Sequence, residues 1–440
     1  MPSIRPIDPL AVRRPGRYSF AMVRPANKAT ALWVLRRLRK HGFQSLFAGG
    51  CVRDMLIGSR SSDYDVATDA SPQQVRRLFP HVLLVGAKFG VAMVIHRGQK
   101  VEVTTFRSDV SYTDGRRPDA VRFSSARQDA LRRDFTINGM FYDPLEDRLI
   151  DYVGGQADLR RRIIRTIGPP DQRFAEDYLR MLRAVRLAVR LDFSIDPATQ
   201  AALRKNAASI VHISGERIFD ELGKMLSSAS ADRAIGQLEE VGLARHLFGE
   251  LFTRPGLWDT ARRTVAMVAG KRDAVLCLAA LLGDLPEKTI CQIIRRWGGS
   301  NDLKNALCWL GRQLPRWLQA DKLSLIELKK MLACPHFERL RILWRARERI
   351  ATGRQTISRR LSRRMLTIEP GEIAPTPLIT GEDLLGMGLA PGPAFGRIVK
   401  QVYDAQLNRE LKNRSQALKF ARNLIARQGK TRPGGDHKKT

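Results

Sequence analysis

Residues 47–68 read FAGGCVRDMLIGSRSSDYDVAT: the end of an apolar strand, a Gly-Gly turn, a short helix and a second strand. Gly49 and Gly50 close the strand SLFAGG and open a helix through Cys51, Val52 and Arg53. Such a turn presents backbone N–H groups to a phosphate, and the helix dipole and Arg53 add positive charge. A Gly-Gly pair is by itself an ordinary turn, but two carboxylates follow it. Asp63 and Asp65 stand two apart on an expected strand, so both side chains project from one face. Held side by side they repel, and a divalent cation is the usual compensation. Mg²⁺ prefers a few carboxylates together with phosphate oxygens. Glu102, in the β-rich run VEVTTFR, is the candidate third carboxylate. A triphosphate cradled beside such a group is what nucleotidyl transfer requires, one metal activating the attacking 3′-hydroxyl and another neutralising the leaving pyrophosphate.

Composition points to the partner. The 440 residues carry 76 Lys and Arg against 44 Asp and Glu, a formal charge of +32. The excess is mainly arginine, whose planar fork suits phosphate, and nucleic acid is the leading partner on charge alone. The hydrophobic share of 43% is that of a soluble globular chain. No apolar run is long enough for a membrane span, and the basic N-terminus lacks the apolar region of a signal peptide. Cys51, Cys277, Cys291, Cys308 and Cys334 are odd in number without CxxC spacing, which argues for a reducing, cytoplasmic compartment and against structural zinc.

Along the chain, 1–24 reads as a disordered basic arm and 25–155 as a mixed α/β head around a small sheet. Ala31, Leu32, Leu35 and Leu38 mark one face of its first helix, which stops at Gly42. After Gly155 the strand signals stop. Helices are expected at about 173–191, 197–207, 214–226 and 230–243, in a series through 352, and in one last helix near 396–426. The expected divisions are a helical neck at 156–270, a body at 271–365, a tail segment at 366–428 and a disordered basic end at 429–440. The stretch 341–365 is intensely basic, either an RNA-facing surface or a solvated face.

GGCVRD followed by DYD resembles the signature of the class II CCA-adding enzymes and bacterial poly(A) polymerases. The resemblance implies an α+β fold, a polymerase-β-like nucleotidyltransferase head followed by an all-α neck, body and tail. It extends from Phe47 to about Leu226, and further motifs occur in family order. RRDFTINGM resembles the segment that binds the incoming nucleotide and favours ribose, which implies roles for Arg132, Arg133, Asp134 and Asn138. Two arginines beside a carboxylate can hold triphosphate and sugar hydroxyls together. Gly139 stands where small residues such as Ala are common in the family.

EDYLRMLRAVRL (176–187) resembles the family's EDxxR element. Asp177 and Arg180 are three apart on the expected helix and so share a face. A carboxylate accepts from an exocyclic amino group while a guanidinium donates to the adjacent ring nitrogen. Cytosine and adenine both fit, uracil and guanine do not, and no template is needed. Arg183 and Arg186 continue the spacing that the family uses around the nucleotide. A surface ion pair would have the same i,i+3 spacing.

Residues 104–123, with Asp114, Gly115, Arg116, Arg117 and Pro118, resemble the flexible loop implicated in the change from C to A addition. ISGERIFDELGKML (213–226) matches the neck helices, and LITGEDLLGMGLAPGPAFGRIV (378–399) resembles the tail of shorter bacterial CCA-adding enzymes. No His-Asp pair of the phosphohydrolase type is present. The resemblance implies CCA addition to tRNA from CTP and ATP with Mg²⁺, with addition of the terminal A alone as a division of labour. Poly(A) addition and an inactive RNA-binding module are the alternatives. Against poly(A) addition, Ala87 precedes Lys88 where a paired basic element is expected.

Overall fold

A computed structural model describes residues 24–25, 27–61, 63–84, 89–109, 121–390 and 392–429. The expected basic arm, all but its last residue, lies outside them. So do Ala87 and Lys88, the loop around Asp114–Pro118 and the basic end beyond 429. The chain divides into two compact units, 1–214 with 237–247, and 215–236 with 248–440.

The first unit is built on a mixed sheet. Its strands are β1 (Arg24–Pro25), β2 (Ser45–Ala48), β3 (Asp65–Thr68), β4 (Val82–Leu83), β5 (Val91–His96), β6 (Gln99–Thr105), β9 (Phe141–Asp143) and β10 (Arg148–Ile150), while β7 (Arg107–Asp109) and β8 (Val121–Phe123) form a separate ribbon. The order is β10-β9-β2-β3-β6-β5-β4, with β1 also on β6. Strand β2 is buried at all four residues, as a central strand of a covered sheet must be. Helix α1 (Lys28–Lys40) packs on the sheet through Ala31, Val34, Leu35 and Leu38, with Leu32 only half-buried. Asn27 caps its start, accepting from the Thr30 N–H, and Gly42 ends it at φ 85°. Helix α2 (Gly50–Leu56) follows β2 directly, and α3 (Pro72–Leu78) begins in a full capping box on Ser71 and Gln74.

Helix α4 (Ala126–Leu131) lies over the sheet, where Ala126 and Ala130 pack with Leu46, Ala48, Ala67, Phe106 and Phe141. Helix α5 (Gly155–Arg161) needs glycine at its start, because a Cβ there would come within 2.3 Å of the Thr136 carbonyl oxygen. At Gly139 a Cβ would meet Val153 Cγ2 at 2.7 Å and Ile167 Cδ1 at 2.9 Å, so the alanine common in the family does not fit here without repacking.

Three expectations about the helical part are corrected. Strands do recur after Gly155: β11 (Ile163–Ile164) pairs in parallel with β12 (Ser194–Ile195), two-residue elements too short to show a period. The helix expected at 173–191 is two, α6 (Pro170–Glu176) and α7 (Leu179–Leu191). Asp177 between them is extended at φ −157° and ψ 101°, and its Oδ1 accepts from the Leu179 N–H at 3.1 Å, the local bond by which Asp displaces helical pairing. The single last helix is also two, Pro393–Leu407 and Arg414–Gly429. Arg409 turns the chain at φ 65° and is held there by Glu372 and the Thr367 carbonyl.

Among its described residues the second unit has helices and no strand. Gly215 starts its first helix, Gly215–Leu226, where a Cβ would lie 1.8 Å from the Arg296 carbonyl oxygen. The tail has its own small core of Ile379, Leu384, Ile398, Val402, Ala405, Leu411, Ala417 and Ala421. No helix among the described residues is long and apolar enough to cross a membrane.

Candidate active site

The sheet register sets the acidic group. Ala48, the last residue of β2 before the glycines, pairs with Asp65. Strand β3 runs parallel to β6 with Val66 opposite Val103, so one residue earlier on each strand Asp65 lies beside Glu102 on the same face. Asp63 precedes the strand instead of sitting on it as expected. It is exposed, in a turn where Ser61 Oγ donates to its carbonyl at 2.7 Å. It still acts on both other carboxylates. Burial, Glu102 and Asp63 push Asp65 up to about 7, with Arg133 pulling the other way, and burial and Asp63 push Glu102 up. Negative charge is crowded here, and Arg133 near Asp65 with Lys100 and Arg107 near Glu102 offsets it only in part.

Gly49 adopts φ 73°, ψ −134°, and its Cβ would sit 3.2 Å from an Arg133 terminal nitrogen. Only glycine combines that conformation with that approach. In the first turn of α2 the N–H groups of Gly50, Cys51 and Val52 have no intrahelical acceptor, as at any helix start. Arg53 departs from its expected role of facing a phosphate. It is 3% exposed and committed: Nε and one terminal nitrogen donate to Asp54 at 2.8 and 2.6 Å, the other to Asn138 Oδ1 at 2.6 Å. It braces the turn from behind.

The arginine pair is arranged by a residue that the motif reading passed over. Asp129, fully buried, receives Arg132 on Oδ1 at 2.8 and 2.6 Å and Arg133 on Oδ2 at 3.1 and 2.9 Å. Its spacing of three and four before the arginines on a helix was the available signal. Asp134, expected to work beside the two arginines, turns instead to Arg183, whose Nε and terminal nitrogen reach it at 2.9 and 2.7 Å, and to Asn138 Nδ2 at 3.1 Å. Burial alone would raise Asp134, but Arg183, Asn138 and the Phe135 N–H hold it at about 2.

Helix α7 is hooked to these groups. Arg180, 8% exposed, donates to Glu176 at 2.5 Å, to the Arg173 carbonyl at 2.9 Å and to the Arg132 carbonyl at 3.4 Å. Arg190 reaches Asp54 at 3.0 Å. Asp177 and Arg180 are therefore not on one helix as expected: Asp177 lies between α6 and α7 and accepts from the Leu179 N–H, and Arg180 donates to Glu176. Arg186 is half-buried on the same helix.

Comparison with known proteins places this arrangement. A family model described as the poly(A) polymerase head domain matches residues 45–165, and one described as the probable RNA and SrmB-binding site of polymerase A matches 192–254. A CCA-adding enzyme of Bacillus licheniformis is 46% identical over 237 residues, 54% of this chain and 58% of that protein; the chain thus spans little more than half the length of that relative. A CCA-adding enzyme of Lactococcus lactis subsp. cremoris is 32% identical over 399 residues, 88% of this chain and 93% of that protein. The chain belongs to the CCA-adding enzyme family. Among solved structures, the Bacillus stearothermophilus CCA-adding enzyme in complex with CTP aligns with a TM-score of 0.73 at 30% identity, covering 91% of this chain and 98% of that chain.

The poly(A) polymerase head model ends at 165, before α6 and α7 begin. In this member of the CCA-adding enzyme family those helices are nonetheless fastened to the head through Arg180, Arg183 and Arg190. Besides Asp129, the residues that motif reading missed are Asp54 and Glu176, the carboxylates that receive Arg53, Arg190 and Arg180.

Proposed function

We propose that this chain is a template-independent RNA nucleotidyltransferase that adds CCA to the 3′ end of tRNA from CTP and ATP. The RNA 3′-hydroxyl attacks the α-phosphate and pyrophosphate leaves. The observation that carries this reading is the acidic group of Asp63, Asp65 and Glu102 at the mouth of the Gly49 turn, with Arg133 against both.

Three carboxylates with crowded negative charge are the hard oxygen donors that suit Mg²⁺, and Asp63 and Asp65 are the residues that would hold it. Among the described residues no three His, Cys, Asp or Glu side chains are arranged to hold a metal by themselves. When bound, the cation lowers the pKa of the 3′-hydroxyl and neutralises pyrophosphate. Gly49 lets the triphosphate approach the backbone, and Arg132 and Arg133, oriented by Asp129, face its charge. Asp177 accepts from the amino group of C or A and Arg180 donates to the neighbouring ring nitrogen, with Glu176 orienting Arg180. The five cysteines are free thiols, which suits a cytoplasmic setting.

The test is extension of tRNA transcripts ending before CCA, after C and after CC, with each nucleoside triphosphate alone and in pairs. Ordered addition that stops at CCA supports the proposal. Extension of only the CC-ending transcript makes this an A-adding enzyme, and long A tails on any RNA make it a poly(A) polymerase. Absence of pyrophosphate release makes it an inactive RNA binder.

A further inference from the structure

Two of the five cysteines meet. Cys291 lies on the helix Glu287–Arg296 and Cys308 on the helix Asn301–Gln313. Their Sγ atoms are 3.2 Å apart, a hydrogen-bonded pair of free thiols. Among the described residues no other two thiols meet: Cys51 donates to the Ala48 carbonyl at 3.2 Å, Cys277 is buried and Cys334 is half-buried.

The chain fixes this approach from both ends. The two helices form an antiparallel hairpin that closes through Trp297–Ser300. Gly298, at φ 65°, donates to the Arg295 carbonyl at 3.0 Å and Gly299 to the Ile294 carbonyl at 2.9 Å, the paired bonds of a Schellman turn. Ser300 caps the second helix, its hydroxyl accepting from the Leu303 N–H at 3.2 Å. At the other end Gly311 lets the helices close: a Cβ there would lie 3.0 Å from Ile290 Cδ1 and 3.4 Å from the Gly283 carbonyl oxygen. Arg312 crosses to Glu287 at 3.3 Å. The thiols sit between these two braced ends.

The two sulfurs are not equivalent. Cys308 is 5% exposed, and burial, with the Cys291 thiol beside it, pushes it up to about 12, so it stays protonated at neutral pH. Cys291 is half-buried and is the one of the two that a small solute reaches.

We propose that Cys291 and Cys308 form a reversible dithiol site for a peroxide, which staples the hairpin when oxidised. The Cys291 sulfur attacks one oxygen of hydrogen peroxide, the O–O bond breaks, and the products are a sulfenic acid on Cys291 and one water. The Cys308 sulfur then attacks the sulfenic sulfur. The S–O bond breaks, and the hydroxyl leaves with the Cys308 proton as a second water. Two thiols and one peroxide give one disulfide and two waters, with two electrons passing from sulfur to oxygen. Going from contact to bond brings the sulfurs together by about 1.2 Å. The neighbouring thiol stops Cys291 short of the irreversible sulfinic acid, and a dithiol reductant restores the pair. A transient disulfide of this kind is compatible with a reducing compartment. The hairpin lies in the second unit, which holds none of the candidate site residues. Because the cysteines are 17 apart in sequence, the bond closes a short loop and restricts the unfolded chain.

The test treats the reduced full chain with hydrogen peroxide, counts thiols after denaturation, maps cross-links by peptide mass spectrometry and follows thermal melting. The count should fall by two from the five of the reduced chain, with one cross-link joining Cys291 to Cys308. The melting temperature should rise by about 5 °C or more, and dithiothreitol should reverse both changes. C334S should behave as wild type. C308A should instead hold a sulfenic acid on Cys291, trapped by dimedone, with no rise in melting temperature. Wild-type Cys291 carried to sulfinic acid without a cross-link would overturn the proposal, and so would a cross-link that takes in Cys334 or joins two chains. A Cys291–Cys308 bond that leaves melting unchanged would overturn the staple. The wild-type mapping decides the matter even where C308A fails to fold.

Discussion

Arg183 sets Nε and a terminal nitrogen on one oxygen of Asp134, at 2.9 and 2.7 Å, and so joins the helix expected to select the base to the segment expected to bind the sugar. Asp134 is held at about 2 against an ordinary 3.8. A depressed folded-state pKa stabilises above the unfolded value and ceases to do so as pH falls through the folded one. Arg183 is 36% exposed, so screening limits the contribution to at most about 2 kcal/mol. Asp134→Asn should therefore lower stability by up to that amount at pH 7, and the gap to wild type should close between about pH 4 and pH 2. Urea unfolding across that range checks it; a gap that stays constant would place the stabilising contact elsewhere.

Asp129→Asn should be the most damaging isosteric change near the site. It leaves two mostly buried guanidiniums without their shared carboxylate, a loss of about 3 kcal/mol. Because the arginines lose orientation, kcat/KM for nucleotide should fall far more than tRNA affinity. Steady-state kinetics together with RNA binding separates the two effects.

The glycines of the turn should respond unequally. Gly49→Ala meets both a left-handed backbone and Arg133, and should abolish nucleotide binding or folding. At Gly50 the nearest atom to an added Cβ is an Arg53 nitrogen at 3.4 Å, ordinary contact, so Gly50→Ala should retain substantial activity. Equal loss in both variants would show that the second glycine is needed for substrate approach.

Removing the crowded charge should trade activity for stability. Asp65 at about 7 against 3.8 means that the metal-free protein loses stability as pH rises from about 4 through 7. Asp65→Asn should raise the melting point of metal-free protein at pH 8, by roughly 1–3 kcal/mol equivalent, while abolishing transfer and sparing tRNA binding. Chelated samples compared by calorimetry and by extension assay give both readings.

Base choice is best probed through Asp177. Its side chain accepts from the Leu179 N–H, so Asp177→Ala should cost about 1 kcal/mol of stability or more and let UTP and GTP compete. Arg180→Ala removes a buried guanidinium from Glu176 as well, and its loss of selectivity will come with lower stability. Comparing kcat/KM for all four triphosphates, with Glu176→Gln alongside, distinguishes a base-reading role from a bracing one. Unchanged C and A preference in Asp177→Ala would put selection elsewhere.

Much of this was legible in the sequence because the decisive residues are close in the chain. GGCVRD and DYD lie within one strand-turn-helix-strand unit, apolar periodicity placed α1, the Gly-Gly turn placed α2, and a β-rich run placed β6. What was not legible depends on which partner a charged side chain chooses. Arg53, Asp134 and Arg180 lie among the groups that the motifs bring together, yet each has a partner other than the one expected: Arg53 meets Asp54 and Asn138, Asp134 meets Arg183, and Arg180 meets Glu176. Asp177 broke a helix that periodicity made continuous, because a side-chain bond to the backbone N–H two residues on leaves no trace in the apolar pattern. The paired strands at 163–164 and 194–195 were invisible because two residues have no period.

Arg180, Arg183 and Arg190 all end on groups of the head, and they lie along one side of α7. Each residue advances a helix by about 100°, so inserting or deleting a single residue between Arg183 and Arg190 swings one end of the row off its anchors while the other stays engaged. Substitution there changes only one tooth of the key, whereas a change of length turns the shaft in its lock. Drift across relatives in this stretch is therefore expected as replacement and not as indels.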